Sequence, residues 1–242
     1  MKTDFCIYIY IFGLFFSATS FSVEKGDTIV KQKLASLFFG KKNDDSTDYD
    51  IEIQSFASGS FSQPNSNEII VNIYDKNQCH ASGWAELWLV GYENQKLVLK
   101  SKIEDADWIE FYIFNIDKND GKQEIFVHAG GGNQGSFGLI WSVYSIELQN
   151  INTLYSIDGF DGINAYGICT AIQNNTVTNS IEVEKRHNIF FRDIDNDGKK
   201  ELFDKKIILR YIPYLRKYEK SNTTKIYKYD GKKYILQPEY KR

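Results

Sequence analysis

The chain has 242 residues with 42% hydrophobic and 25% charged side chains, enough apolar content to bury a core and too much for a disordered chain. Aromatic residues reach 15% against three Pro and one Met, a profile that favours strands over helices. A formal net charge of −3 excludes the basic composition of a nucleic-acid binder.

In chain order, residues 1–22 come first. Lys2 precedes an apolar run from Phe5 to Phe16, followed by the small residues Ala18, Ser20 and Ser22. Twelve apolar residues are short of the roughly twenty needed to span a bilayer. The segment reads as a secretory signal peptide cut after Ser20 or Ser22, the alternative being an uncleaved N-terminal anchor. The mature chain is then exported, periplasmic or extracellular, with no stable membrane span. Its remaining cysteines, Cys79 and Cys169, would close a loop of about ninety residues if paired, worth roughly 4 kcal/mol. A bridge and two buried thiols are both open.

Residues 24–39 have helical apolar spacing at 29/30, 34 and 37/38, with Asp27 or Thr28 as N-cap. Residues 40–50, GKKNDDSTDYD, form a polar linker, so that 23–50 precede a domain at 51–242. Strand patterns then follow at 69–74, 85–92, 96–103, 109–114, 124–129, 138–146, 151–157, 181–185, 187–191 and 207–212. The tail from Lys225 to Leu236 holds Asp230-Gly231 between alternating residues, a hairpin signal. Residues 163–172 fit either a strand or a short buried helix. The glycine-rich run 128–138 lacks a phosphate-loop lysine and reads as a loop joining two strands. Residues 157–162, IDGFDG, read as a turn, and the acidic group Glu104, Asp105 and Asp107 as a solvated loop.

The stretch FFRDIDNDGKKELF, residues 190–203, concentrates Asp193, Asp195, Asp197 and Glu201 around Gly198. Alternating Asp converge on one side of a tight turn, and clustered carboxylates repel unless a cation joins them. Calcium takes six to eight oxygens from such flexible carboxylates and carbonyls. The candidate ligands are Asp193, Asp195, Asp197, the Lys199 carbonyl and Glu201. A helix–loop–helix calcium site would use Asp204 as its twelfth residue, but Lys200 replaces the usual apolar residue and the flanks read as strands.

The same frame recurs at 113–126, IFNIDKNDGKQEIF, where Phe114, Asn119, Asp120, Gly121 and Glu124 match Phe191, Asn196, Asp197, Gly198 and Glu201. Ile116 and Lys118 replace Asp193 and Asp195, leaving Asp117, Asn119, Asp120 and Glu124 as a weaker second site. A looser copy at 59–71 runs from Phe61 to Glu68 and turns through Pro64 and Asn65. Each copy is a strand, a polar loop and a strand.

Asp-x-Asp-x-Asp-Gly-x-x-Glu-Leu between strands resembles the FG-GAP/VCBS-type repeat. Such repeats are similar to the calcium-binding blades of integrin-like β-propellers and of many exported bacterial proteins. The resemblance implies a mainly β fold with propeller-like repeats and one short N-terminal helix. A closed propeller needs at least four blades, so three copies imply a small, degenerate or incomplete ring. It also implies bound Ca2+ and a protein or glycan partner.

For enzymatic function the residues offer little. His80, His128 and His187 form no zinc-protease motif, and no nucleophile signature is present. Trp84, Trp88, Trp108 and Trp141 fit core positions, although an exposed one could stack on sugar. The expected function is a non-catalytic calcium-binding module for protein or glycan interaction. The alternatives are a periplasmic inhibitor or immunity-type protein, and a calcium-assisted hydrolase or lyase acting on glycans or phosphoesters. Residues 199–242 hold fourteen Lys/Arg against five Asp/Glu, a local +9 that leaves −12 for the remainder of the chain. Such an end could bind an acidic partner or a polyanionic glycan, or serve only as solvated strand faces.

Overall fold

The structure is a computed structural model that describes residues 28–39, 51–75, 84–133, 136–148, 150–161, 181–212 and 215–238. Residues 1–22, 40–50 and 163–172, and both Cys79 and Cys169, lie outside these residues. Among the described residues the fold is mainly β: one helix, α1 (Thr28–Phe39), and two open antiparallel sheets. Among the described residues, no helix is long and apolar enough to cross a membrane.

The first sheet pairs β1 (Ile51–Gly59), β2 (Glu68–Asp75), β3 (Trp84–Glu93) and β4 (Lys96–Ala106) in chain order. The second begins with β5 (Trp108–Phe114), β6 (Glu124–Asn133), β7 (Ser136–Glu147) and β8 (Asn150–Asp161). It continues through β9 (Ile181–Arg192), β10 (Glu201–Ile212), β11 (Lys217–Tyr229) and β12 (Tyr234–Leu236). Strands β8 and β9 share a single pair, Phe160 with Lys185, whereas β9 and β10 pair along their lengths. The second sheet is therefore two four-stranded meanders hinged at one pair, and the described residues form three.

Side-chain alternation stacks these meanders. On β2, Ile69, Val71 and Ile73 point to Leu34 and Phe38 of α1, while Ile70 faces the second meander. Every residue from Glu68 to Ile73 is buried, because both faces of β2 are covered. Ile70, Leu87 and Leu89 of the first meander pack on Ile125, Val127 and Ala129 of β6. Asn72 bridges this layer, its Nδ2 donating to the Ile109 carbonyl at 2.8 Å. On the far side of the second meander, Val143, Leu154 and Tyr155 pack with Leu202 and Tyr234 of the third.

Several local expectations change. β1 was not among the strand patterns, and β9 joins two of them into one strand of twelve residues. The glycine-rich run is strand and not loop: Gly130, Gly131 and Gly132 lie in β6 and pair with β7. A Cβ on Gly131 would lie 2.9 Å from the Asp107 carboxyl carbon, so the glycines admit a close neighbour. Asp158 and Gly159 likewise belong to β8, and Glu104 and Asp105 to β4. The expected tail hairpin is present. Gly231 has φ +98°, and Asp230 Oδ1 accepts from the Lys232 and Lys233 amides, both at 2.8 Å.

Gly159 sits where the second and third meanders touch. A Cβ there would lie 2.5 Å from Trp141 Cζ3 and 2.7 Å from the Lys185 carbonyl oxygen. Neither an indole core nor a backbone carbonyl can yield cheaply. Gly159→Ala is expected to cost about 1–3 kcal/mol by overpacking, read as a lower urea midpoint; an unchanged midpoint would refute the contact.

Candidate metal loop

Each meander turns from its first to its second strand through one of the three related stretches: 60–67, 115–123 and 193–200. Each turn ends on a glutamate that begins the second strand: Glu68, Glu124 and Glu201, all 2–3% exposed. Each carboxylate reaches back across its own loop to a backbone amide. Glu201 Oε2 accepts from Ile194 N at 2.9 Å, and Glu124 Oε2 from Ile116 N at 2.7 Å. Glu68 Oε2 accepts from Phe61 N at 3.2 Å and Ser62 N at 2.8 Å. A buried glutamate at the start of the strand thus closes each loop from inside.

The loops also join one another. Gln123 N donates to the Ser60 carbonyl at 2.8 Å, and Ser60 N to Gln123 Oε1 at 3.1 Å. Lys200 N donates to the Ile116 carbonyl at 2.9 Å, and Lys118 N to that of Gly198 at 3.3 Å. Successive corners are therefore bonded side by side at one end of the stack.

In the third loop, Asp carboxylates satisfy nearby amides. Asp197 Oδ1 accepts from Lys199 N at 2.8 Å, Asp195 Oδ1 from Asp197 N at 3.3 Å, and Asp193 Oδ2 from Gly198 N at 3.2 Å. Positive φ at Asn196 (59°) and Gly198 (88°) lets the chain reverse. One oxygen each from Asp193, Asp195 and Asp197 then lies within 4.8 Å of the others, a span that a cation with bonds of about 2.3–2.6 Å can bridge. Asp193 Oδ1 is enclosed and accepts no hydrogen bond among the described residues. Lys228 of β11 reaches the same carboxylates, contacting Asp195 and lying 3.2 Å from Asp197. Those bonds push its ammonium pKa up, and the Lys199 amide foremost holds the Asp197 carboxyl below its ordinary value.

Glu201 is not part of this group; its carboxylate closes the loop instead. Lys199 lies beside the second loop, its Nζ 3.7 Å from Asp117 and its backbone bridged to the same residue. The second loop gathers no comparable triad among the described residues. Asp117 Oδ1 is turned to Asn119 N at 3.0 Å, Asp120 Oδ1 to Lys122 N at 2.9 Å, and Glu124 inward. Asp204 is also remote from the triad. It lies in β10 at 1% exposure, with Oδ1 2.6 Å from His187 Nδ1, and strands flank the loop on both sides.

Sequence reasoning missed the His187–Asp204 pair. Its signal was the register of the β9–β10 hairpin, which pairs His187 with Lys206 and sets Asp204 on the diagonal. Trp141, 6% exposed, packs against His187 at 5.4 Å and stacks on His128 at 4.9 Å. At the opposite strand ends, a cleft of about 390 Å³ is lined by Trp84, Asp105, Asp107 and Asp158 among others, and among the described residues no histidine lines it. Asp105 is paired with Lys102 at 2.5 Å, and Asp107 accepts from Gly132 N at 2.9 Å. Glu104 accepts from the Tyr144 hydroxyl at 2.5 Å. No protein-family model matches the chain, and neither a curated protein nor a solved structure matches it.

Proposed function

We propose that this chain is an exported, non-catalytic β-repeat module that binds Ca2+ at the third corner and presents its surface to a protein or glycan partner. The three meanders act as consecutive blades of a propeller-like array whose ring is incomplete. The observation that carries the calcium reading is the Asp193, Asp195 and Asp197 triad, clustered on a corner that Glu201 closes without using up a triad oxygen. The enclosed Asp193 Oδ1 supports it, since a buried carboxylate oxygen lacking a donor suits a cation. The two exposed aspartates leave coordination positions to water, as in a site of modest affinity. Export rests on the apolar run from Phe5 to Phe16.

Calcium would displace the Lys228 ammonium and lock the β9–β10 corner. Terbium luminescence and calcium calorimetry test the site. The expected result is saturable binding that Asp195→Ala weakens at least tenfold and Lys228→Met strengthens. At one hundred times Kd, calcium should also add about 2.7 kcal/mol to stability. A wild-type protein that gives no terbium signal and no calcium heat would end the calcium reading.

A further inference from the structure

The β10–β11 hairpin leads away from the third core, which ends at Leu202 and Tyr227. Of the twenty-one residues from Lys205 to Lys225, seven are Lys or Arg and one is acidic, Glu219. Beneath, β10 anchors the arm by keeping Ile208 and Ile212 buried. Along the rim, the first nine residues of β11, from Lys217 to Lys225, are all exposed. β12 pairs with β11 only at Tyr227–Tyr229, so among the described residues no strand covers the outer edge of Lys217–Lys225.

An open edge is normally blunted by shortness, proline or a bulge. This edge has none of these. The β10–β11 ladder runs through eleven pairs without a shift, and β11 contains no proline or glycine. Charge is the device that remains, and charge selects by sign. Lys217 and Lys225 lie on one face of the strand, and Lys220 on the other. A second copy's β11 would meet lysine on both faces, offset only by Glu219, which already pairs with its own Lys217 at 2.8 Å, so net repulsion remains. An acidic strand would meet a lysine whichever way its side chains point.

We propose that the outer edge of β11, from Lys217 to Lys225, takes up an acidic, extended polypeptide segment of a partner by strand addition. Backbone hydrogen bonds hold the segment, and the lysines steer it and fix its sign. Tyr218, 54% exposed and 5.0 Å from Tyr211 across the hairpin, offers an aromatic surface beside the segment near the tip. The inference deepens the interaction function proposed above and is independent of the calcium loop.

The test is fluorescence anisotropy of a labelled eight-residue peptide of alternating Glu and Thr with the intact protein, alongside amide hydrogen exchange. Expected are salt-sensitive binding, slower exchange of β11 amides, and at least tenfold loss on Lys220→Glu with Lys225→Glu. The same peptide N-methylated at alternate residues keeps its charge and loses backbone donors, and should bind at least tenfold more weakly. Equal binding by the methylated peptide would reduce the surface to a charge patch and overturn strand addition. So would heparin binding that leaves β11 exchange unchanged, or no peptide binding at millimolar concentration. The terbium signal reports on the calcium reading separately, so failure of one leaves the other standing.

Discussion

Replacing Asp204 by alanine should cost about 3–5 kcal/mol, because it strips the partner from a fully buried side chain. The His187 side chain is 0% exposed and that of Asp204 1%, with Nδ1 and Oδ1 2.6 Å apart. Trp141 closes one side at 5.4 Å from the imidazole, and His187 Nε2 has no hydrogen-bond partner among the described residues. The pair already carries one orphaned atom, and removal of Asp204 would orphan the second ring nitrogen as well. On the carboxylate side, burial first and the Asp204 charge next push the Tyr155 and Tyr227 hydroxyl pKa values up, so both phenols remain neutral. His187→Ala should therefore cost less than Asp204→Ala, since the tyrosines still face the carboxylate. The two losses should not add. His187→Leu with Asp204→Leu should recover part of the stability, because the buried imidazole and carboxylate are removed together and only the tyrosine hydroxyls are left facing apolar groups. Urea midpoints for the two single variants and the double variant form the cycle; a shift below about 1 kcal/mol for Asp204→Ala would show that the layer is wetter than its geometry implies.

Much of the fold is legible in the sequence, and the exceptions have physical causes. The aromatic and β-branched runs mark strands, and Asp230-Gly231 marks its hairpin because positive φ is needed there. β1 was missed because its alternation breaks: the register shifts between Ile53 and Ser55, so Phe56 joins Ile51 and Ile53 in the cluster with α1 although its spacing is out of phase. The glycines at 130–132 look like a loop by composition. They pair with β7 as strand, and at Gly130 and Gly131 glycine is required because Trp108, Asp107 and the neighbouring strand crowd the positions where Cβ atoms would stand. At the corners, the recurring glutamate was visible, but its task was not. A carboxylate that returns to the strand can point out toward a cation or in toward its own loop amides. Sequence spacing does not separate these outcomes. Burial does, and Glu68, Glu124 and Glu201 all point in. The Asp triad was read directly, because alternating side chains around a tight turn converge whatever the strands do elsewhere.

The corner glutamates provide a second large test, in which two equivalent residues respond with opposite sign. Glu124 accepts one backbone amide, Ile116 N, and burial pushes its pKa up from 4.5 to about 7. Glu68 is just as buried, but it accepts from Phe61 N, Ser62 N, Ser62 Oγ and Ser66 Oγ. Burial raises its pKa and the four donors outweigh that, so the net shift is downward. For Glu124 the folded state holds its proton more tightly than the unfolded chain. Below pH 4.5 both states are protonated and nothing is lost. Between pH 4.5 and 7 the unfolded chain ionises first and stability falls, by on the order of 3 kcal/mol once the folded group ionises too. A glutamine there keeps the acceptor for Ile116 and removes the charge. Glu124→Gln should be near neutral at pH 4 and stabilising at pH 8. Glu68 runs the other way, supplying stability above its unfolded value that is lost as pH falls through its lower folded pKa. Glu68→Gln should cost about 1.5–3 kcal/mol at pH 8, from weaker bonds to four donors and an amide group facing hydroxyls. Urea midpoints at pH 4 and pH 8 for both variants decide the matter. A matching sign at pH 8 would mean that burial, and not the number of donors, sets the charge of these corners.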